Sequence, residues 1–219
     1  MKNKIWEKHA KFFVYENLFE PFVNHIRLLK KKYRPKVCLD LACGDGRFLD
    51  VISENTILTL GVDISRIRLQ RAKKRKNTNI ELVLADASCL PFRNSSFDGV
   101  FIIELLEHMS VRSRCIVLQE TKRVTRGFLF ITLPNPLAPH AHADPTHILN
   151  YSVKTLRKLM QNIFDTRKVI IAGSHLPFLK TPFWRCNMVI RSLLRYVPYA
   201  STTFICVVVV DRFGESTSH

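Results

Sequence analysis

The chain has 219 residues, 47% of them hydrophobic, and its 34 lysines and arginines against 18 acidic residues leave a net charge of +16. That length and apolar content can bury one sizeable core, so one globular domain is expected. The 6 cysteines form no Cys-x-x-Cys pair and no His/Cys group has zinc-ligand spacing, so neither a disulfide framework nor a metal site is expected.

Residues 3–34 read as helical. Trp6, Phe12, Phe13, Val14, Leu18, Phe19, Phe22, Val23, Ile26 and Leu29 recur at three- and four-residue steps, with Pro21 dividing two helices. Lys30 to Lys36 is a solvated connector. The run Val37–Leu41 is short enough for a buried strand; it breaks into Cys43-Gly44-Asp45-Gly46 and resumes as a helix over 46–54. Such a strand, turn and helix place a ligand at the carboxyl end of the strand. A dinucleotide fingerprint would want a third glycine where Leu49 stands. Asp40 and Asp45 are also unwelcome beside a pyrophosphate, whereas a cationic ligand with an amino group would tolerate them.

A second strand, Ile57 to Asp63, ends in an acid. Asp63 can accept both hydroxyl protons of a ribose, or it can cap the helix that Ser65 opens. That helix, 65–76, carries Arg66, Arg68, Arg71, Lys73, Lys74, Arg75 and Lys76, either a solvated face or a surface for a polyanion. The third strand starts at Ile80 and leads into Asp86-Ala87, where Asp86 can accept from an exocyclic amine and Ala87 can donate its N–H. Then come Leu90-Pro91-Phe92, Ser96-Phe97-Asp98-Gly99-Val100, a fourth strand over Asp98–Ile103, and Glu104-Leu105-Leu106-Glu107-His108.

The interval 37–108, from apolar-Asp-x-x-Cys-Gly-x-Gly to the closing histidine, resembles the class I S-adenosylmethionine-dependent methyltransferases, and in particular their small-molecule (UbiE-like, type 11) group. The resemblance implies S-adenosylmethionine as methyl donor and S-adenosylhomocysteine as product. It implies donor contacts from Asp40, Ala42, Gly44, Gly46, Asp63, Ile64, Asp86, Ala87 and Ile103. It places His108 just inside the helix after the fourth strand, and implies an N-terminal helical cap over 1–36, with His9, Phe13 and Tyr15 as candidate contacts. The Asn/Asp-Pro-Pro-aromatic motif of amino-group methylation and the Pro-Cys nucleophile of cytosine-C5 methylation are both absent from the matching positions.

A helix over 112–125 and a strand over 127–133 lead into a loop holding His140, His142, Asp144 and His147, before a helix over Ser152–Ile163. For Asp144 and His147 acceptor binding or proton removal ranks first, helix-entry capping second and a metal last. His108, His142 and His147 are the candidates for proton removal. Two more strands, 167–173 and 203–211, flank the aromatic and basic stretch 174–201, a lid, a membrane-resting helix or a packed interface. The alternation of strands and helices indicates an α/β fold with a doubly wound sheet, and the resemblance implies a Rossmann-like sheet of seven strands, the last antiparallel, spanning 37–213. The methyl acceptor is unspecified, with a small or lipid-like molecule favoured. The net charge of +16 and pI near 9.9 raise RNA or an anionic membrane surface as partners. One alternative is therefore an RNA-binding protein using 65–76; the other is a peripheral membrane protein with a vestigial donor site. The N-terminus carries no apolar signal core, and the expected location is the cytoplasm.

Overall fold

The apolar runs of the sequence become strands. The computed structural model describes residues 20–74, 77–135, 146–148, 151–166, 168–173 and 203–210. Its strands are β1 (Val37–Leu41), β2 (Leu58–Asp63), β3 (Ile80–Leu84), β4 (Phe97–Ile102), β5 (Thr125–Pro134), β6 (Val169–Gly173) and β7 (Thr203–Val209). They form one seven-stranded sheet in the order β3-β2-β1-β4-β5-β7-β6. The β1–β2, β2–β3 and β4–β5 pairs are parallel, and β7 runs antiparallel to both β5 and β6. This is the Rossmann-like sheet with an antiparallel last strand that the sequence led us to expect.

The chain divides between Ala87 and Ser88 into two compact units. In the first, α1 (Glu20–Tyr33), α2 (Leu49–Ser53) and α3 (Arg66–Ala72) accompany β1–β3. Pro21 falls in the first turn of α1, where a missing N–H costs no intrahelical bond. Phe22 and Ile26 of α1 are buried, and the Phe22 ring lies 6.2 Å from that of Phe48. A second apolar cluster joins Cys43, Leu49, Leu69 and Ala72, with Ile80 and Leu82 packed against it. Gly61 belongs to the same layer. A Cβ there would stand 2.9 Å from both Cys43 Sγ and Leu82 Cδ2, so the absent side chain lets the turn after β1 settle on β2.

In the second unit, β4 is buried along its whole length and β5 everywhere except Arg126, as suits strands covered on both faces. The Phe101 ring meets Phe128 edge-on at 5.7 Å. The helices are α4 (Val111–Val124) and α5 (Val153–Phe164), opened by Ser110 and Ser152, whose hydroxyls accept the N–H of Ser113 and Thr155. Cys38 and Cys206 are fully buried and Cys115 only partly so. No helix of the described residues is long and apolar enough to cross a membrane. The stretch 174–201 and residues before Glu20 lie outside the described residues.

Candidate active site

The first unit builds a turn that the sequence only partly foretold. After β1 the chain passes through three left-handed residues: Ala42 (φ 61°), Gly44 (φ 56°) and Gly46 (φ 77°). The glycines adopt this without steric cost, whereas Ala42 carries about 1 kcal/mol of strain. Backbone bonds hold the turn: Cys43 N–H donates to Val62 O, and Gly46 N–H to Cys43 O, each at 2.9 Å. The helix expected over 46–54 therefore begins only at Leu49, since residues in this conformation cannot start one.

Asp63 fastens the turn from below. Its Oδ2 accepts the Gly44 N–H and its Oδ1 the Ser65 N–H, both at 2.8 Å, and the residue is only 6% exposed. It thus holds the glycine turn and the entry to α3 together, while Ser65 Oγ accepts the Arg68 N–H as the helix cap. Each carboxylate oxygen retains a lone pair beyond these bonds. Beside it Ile64 presents an exposed apolar side chain, and Ala85 N–H donates to Asp63 O, bringing the end of β3 to the end of β2. Asp86 and Ala87 follow, Asp86 exposed. Asp40 is buried within β1, and burial first, then the carboxylates of Asp40 and Asp63, push the Cys43 thiol far up. Cys43 is consequently a neutral packing group, not a nucleophile.

Helix α3 is shorter than the expected 65–76, and its arginines do not all face outward. Arg68 lies over the turn, 3.4 Å from where a Gly44 Cβ would sit, and Arg71 Nη1 is 3.8 Å from Asp45 Oδ2. Residues 75 and 76 lie outside the described residues.

The second unit assembles a different cluster at the ends of β4 and β5. Ile103 is buried after β4, and Glu104 follows in the left-handed region (φ 52°). One hydroxyl holds it there: Glu104 N–H donates to Thr132 Oγ1 (3.0 Å), which donates to Glu104 Oε1 (2.8 Å). His108 does not enter the following helix as expected. It closes a single 3₁₀ turn, Leu106–His108, because Ser110 caps α4 two residues later. Its Nδ1 is 2.9 Å from Thr146 Oγ1 and its ring 5.0 Å from that of His147. Ile148 N–H donates to Glu107 O at 2.9 Å, which draws the 146–148 segment onto the turn.

Glu107 is fully buried, and among the described residues no well-formed hydrogen bond reaches either of its carboxyl oxygens, its own backbone N–H being the only donor that eases the charge. Its side chain faces the carboxyl of Glu104, so a shared proton is what can join them. Burial above all, then the neighbouring Glu104, hold Glu107 well above the usual carboxylate range, and burial raises Glu104 as well. Arg114, 1% exposed, opposes this for Glu107; one of its nitrogens donates to Met109 O, and its guanidinium lies 4.4 Å from the centre of the Tyr151 ring. His142, with His140 and Asp144, lies outside the described residues.

A profile of the methyltransferase domain family matches residues 38–127, the interval that holds the turn, Asp63, Asp86 and the Glu104–His108 segment. This match supports a class I methyltransferase domain in the chain. Among curated proteins, the chain is 30% identical over 117 residues to the 27-O-demethylrifamycin SV methyltransferase of Amycolatopsis mediterranei, covering 48% of this chain and 43% of that one. The chain spans about half or less of the length of the curated relatives it matches. Among solved structures, the methyltransferase domain of a bacterial protein, CtHen1, superposes with a TM-score of 0.67 at 17% identity, covering 88% of this chain and all of that one. An S-adenosylmethionine-dependent methyltransferase from Archaeoglobus fulgidus gives 0.61 at 22% identity, covering 89% and 99%. At these identities the two structures establish the shared fold.

Sequence reasoning gave Glu104 and Glu107 no role, although the signal was present: two acids three apart, straight after an apolar strand and just before a histidine. It also missed the Thr132 hydroxyl, whose use depends on a strand partner 28 positions away.

Proposed function

We propose that this methyltransferase takes its methyl group from S-adenosylmethionine and passes it to a small or lipid-like acceptor, releasing S-adenosylhomocysteine. The observation that carries the reading is Asp63: buried at the end of β2, it pins the Gly44 N–H and keeps acceptor capacity on both oxygens for a ribose. The donor, when bound, supplies a methyl activated on a sulfonium cation, and buried carboxylates at Asp40 and Asp63 suit a ligand of that charge. Gly44 and Gly46 leave the backbone open to close approach, Ile64 offers an apolar face for a base, and Asp86 with Ala87 can meet its polar edge. Ala42 shapes the turn, and Ile103 contributes apolar surface after β4. Chemistry of this kind asks the protein mainly for alignment and for removal of the acceptor's proton. His108, His142 and His147 are the candidates for the latter. The rifamycin relative's name supports a small-molecule acceptor.

Calorimetric titration tests the donor. Micromolar binding of S-adenosylmethionine with none of NADH is expected, and Asp86→Ala should weaken it about tenfold, the loss of one hydrogen bond to a ligand. Asp86 is exposed, so that variant should melt like the parent; Asp63→Ala is the poorer probe because it also strands two backbone N–H groups. Unchanged donor affinity in Asp86→Ala would remove that residue from the site, and binding of NADH in place of the donor would refute the reading.

A further inference from the structure

We propose that Glu104, Glu107, His108 and His147 form a binding site for a divalent first-row metal ion. One ligand atom each from Glu107, His108 and His147 lies within 4.8 Å of the others. Ligands about 2.1 Å from a common ion stand about 3.0 to 4.2 Å apart, so closing on one asks for side-chain shifts of up to about an ångström. The Glu104 carboxyl faces Glu107 and lies close enough to His147 to feel its charge, which adds a fourth donor.

Glu107 is the decisive group. A fully buried carboxyl with no well-formed hydrogen bond to either oxygen among the described residues, its own backbone N–H the only donor that eases it, is costly, and a fold seldom keeps one without use. Arg114 balances part of its charge, but two of that guanidinium's own nitrogens, Nε and Nη1, also reach no acceptor, so the two side chains do not satisfy each other. A cation would take the place of the proton shared by the two glutamates. The supporting bonds fit ligand duty as well. Thr132 fixes one oxygen of Glu104, and Thr146 bonds Nδ1 of His108 and so orients that ring. Two carboxylates with two imidazoles suit manganese, iron or zinc better than calcium, which prefers oxygen alone.

These residues come from β4, the 3₁₀ turn and the segment before α5, at the end of β5 where the acceptor is expected to bind. Four protein ligands leave a six-coordinate ion two open positions, and an oxygen of the methyl acceptor is the kind of ligand that would fill one. That role rests on the methyl-transfer reading; the binding of the ion does not.

The test uses the full chain without a histidine tag, stripped with EDTA and titrated with MnCl2 while free Mn2+ is followed by electron paramagnetic resonance. One Mn2+ per chain, displaced by Zn2+, is expected. Glu107→Gln and His147→Ala should each weaken it at least tenfold while keeping the parent far-UV circular dichroism. His147 is partly exposed, so its variant carries the test should Glu107→Gln fail to fold. No stoichiometric binding of either ion, or binding unchanged in both variants, would overturn the proposal. S-adenosylmethionine titrated into the same sample separates the two readings: donor binding without metal binding defeats only this one, and metal binding without donor binding defeats only the donor assignment.

Discussion

A single buried side chain can show how far position outweighs residue type. Lys30 belongs to what reads as a solvated lysine run, yet it is 8% exposed and its Nζ donates to the carbonyls of Val51 and Ile52 near the end of α2. It supplies donors to carbonyls that a helix end leaves open. Burial pulls its pKa from the ordinary 10.5 down to about 8. Between those values the unfolded chain holds a proton that the folded chain has released, so this residue's contribution to stability rises with pH. The gap in urea stability between the parent and Lys30→Met should therefore widen by about 2 kcal/mol from pH 7 to pH 10. A constant gap would mean that the amine keeps its proton. Lys30 had no distinguishing mark in the sequence, because the lysines beside it are exposed and only the packing of α1 on α2 separates them.

At the scale of elements, the strands and most helices were legible because their signals are local: apolar runs for β1, β2, β4, β5 and β7, and serine caps for α3, α4 and α5. The turn after β1 was legible as a turn but not in its extent, since three left-handed residues in five is a conformation and not a composition. Gly61 is the hidden counterpart of that turn. Gly61→Ala would push a methyl against Cys43, Leu82 and Leu49, and should cost about 1–3 kcal/mol in urea denaturation, with weaker donor binding as the turn shifts. The end of α5 gives the opposite case. Asp165 closes it in the left-handed region (φ 50°) with an exposed side chain, so Asp165→Gly should raise stability by about 0.5–1 kcal/mol and Tm by a few degrees. A lower Tm would show that the aspartate contributes more there than its backbone strain costs.

For the whole molecule the open quantity is charge. A net +16 attracts polyanions whatever the chemistry at the turn, and α3 with the two residues after it leaves Arg66, Arg71, Lys73 and Lys74 exposed, while Arg68 lies over the turn. An unstructured RNA should therefore bind, with affinity falling at least about tenfold between 50 and 200 mM salt, as fluorescence anisotropy would show. Charge reversal at Arg66 and Lys73 should weaken it without changing donor affinity. An affinity indifferent to salt would rule out a phosphate-driven contact.

The antiparallel closure was implied only by the family resemblance, whereas sequence alone determined the strands of the sheet, the glycine turn and the acids at the ends of β2 and β3. Each is encoded in a short stretch, by alternation of apolar segments and breakers or by one acid at a strand end. Tertiary structure alone decided what those acids bond to, which lysine is buried, and that Glu104, Glu107, His108 and His147 share one place. The reason is physical. Periodicity is a property of neighbours along the chain, whereas satisfaction of a buried carboxyl depends on groups brought from distant strands and loops. The framework of the glycine turn lies in the first kind of information, and the four-residue cluster after β4 and β5 in the second.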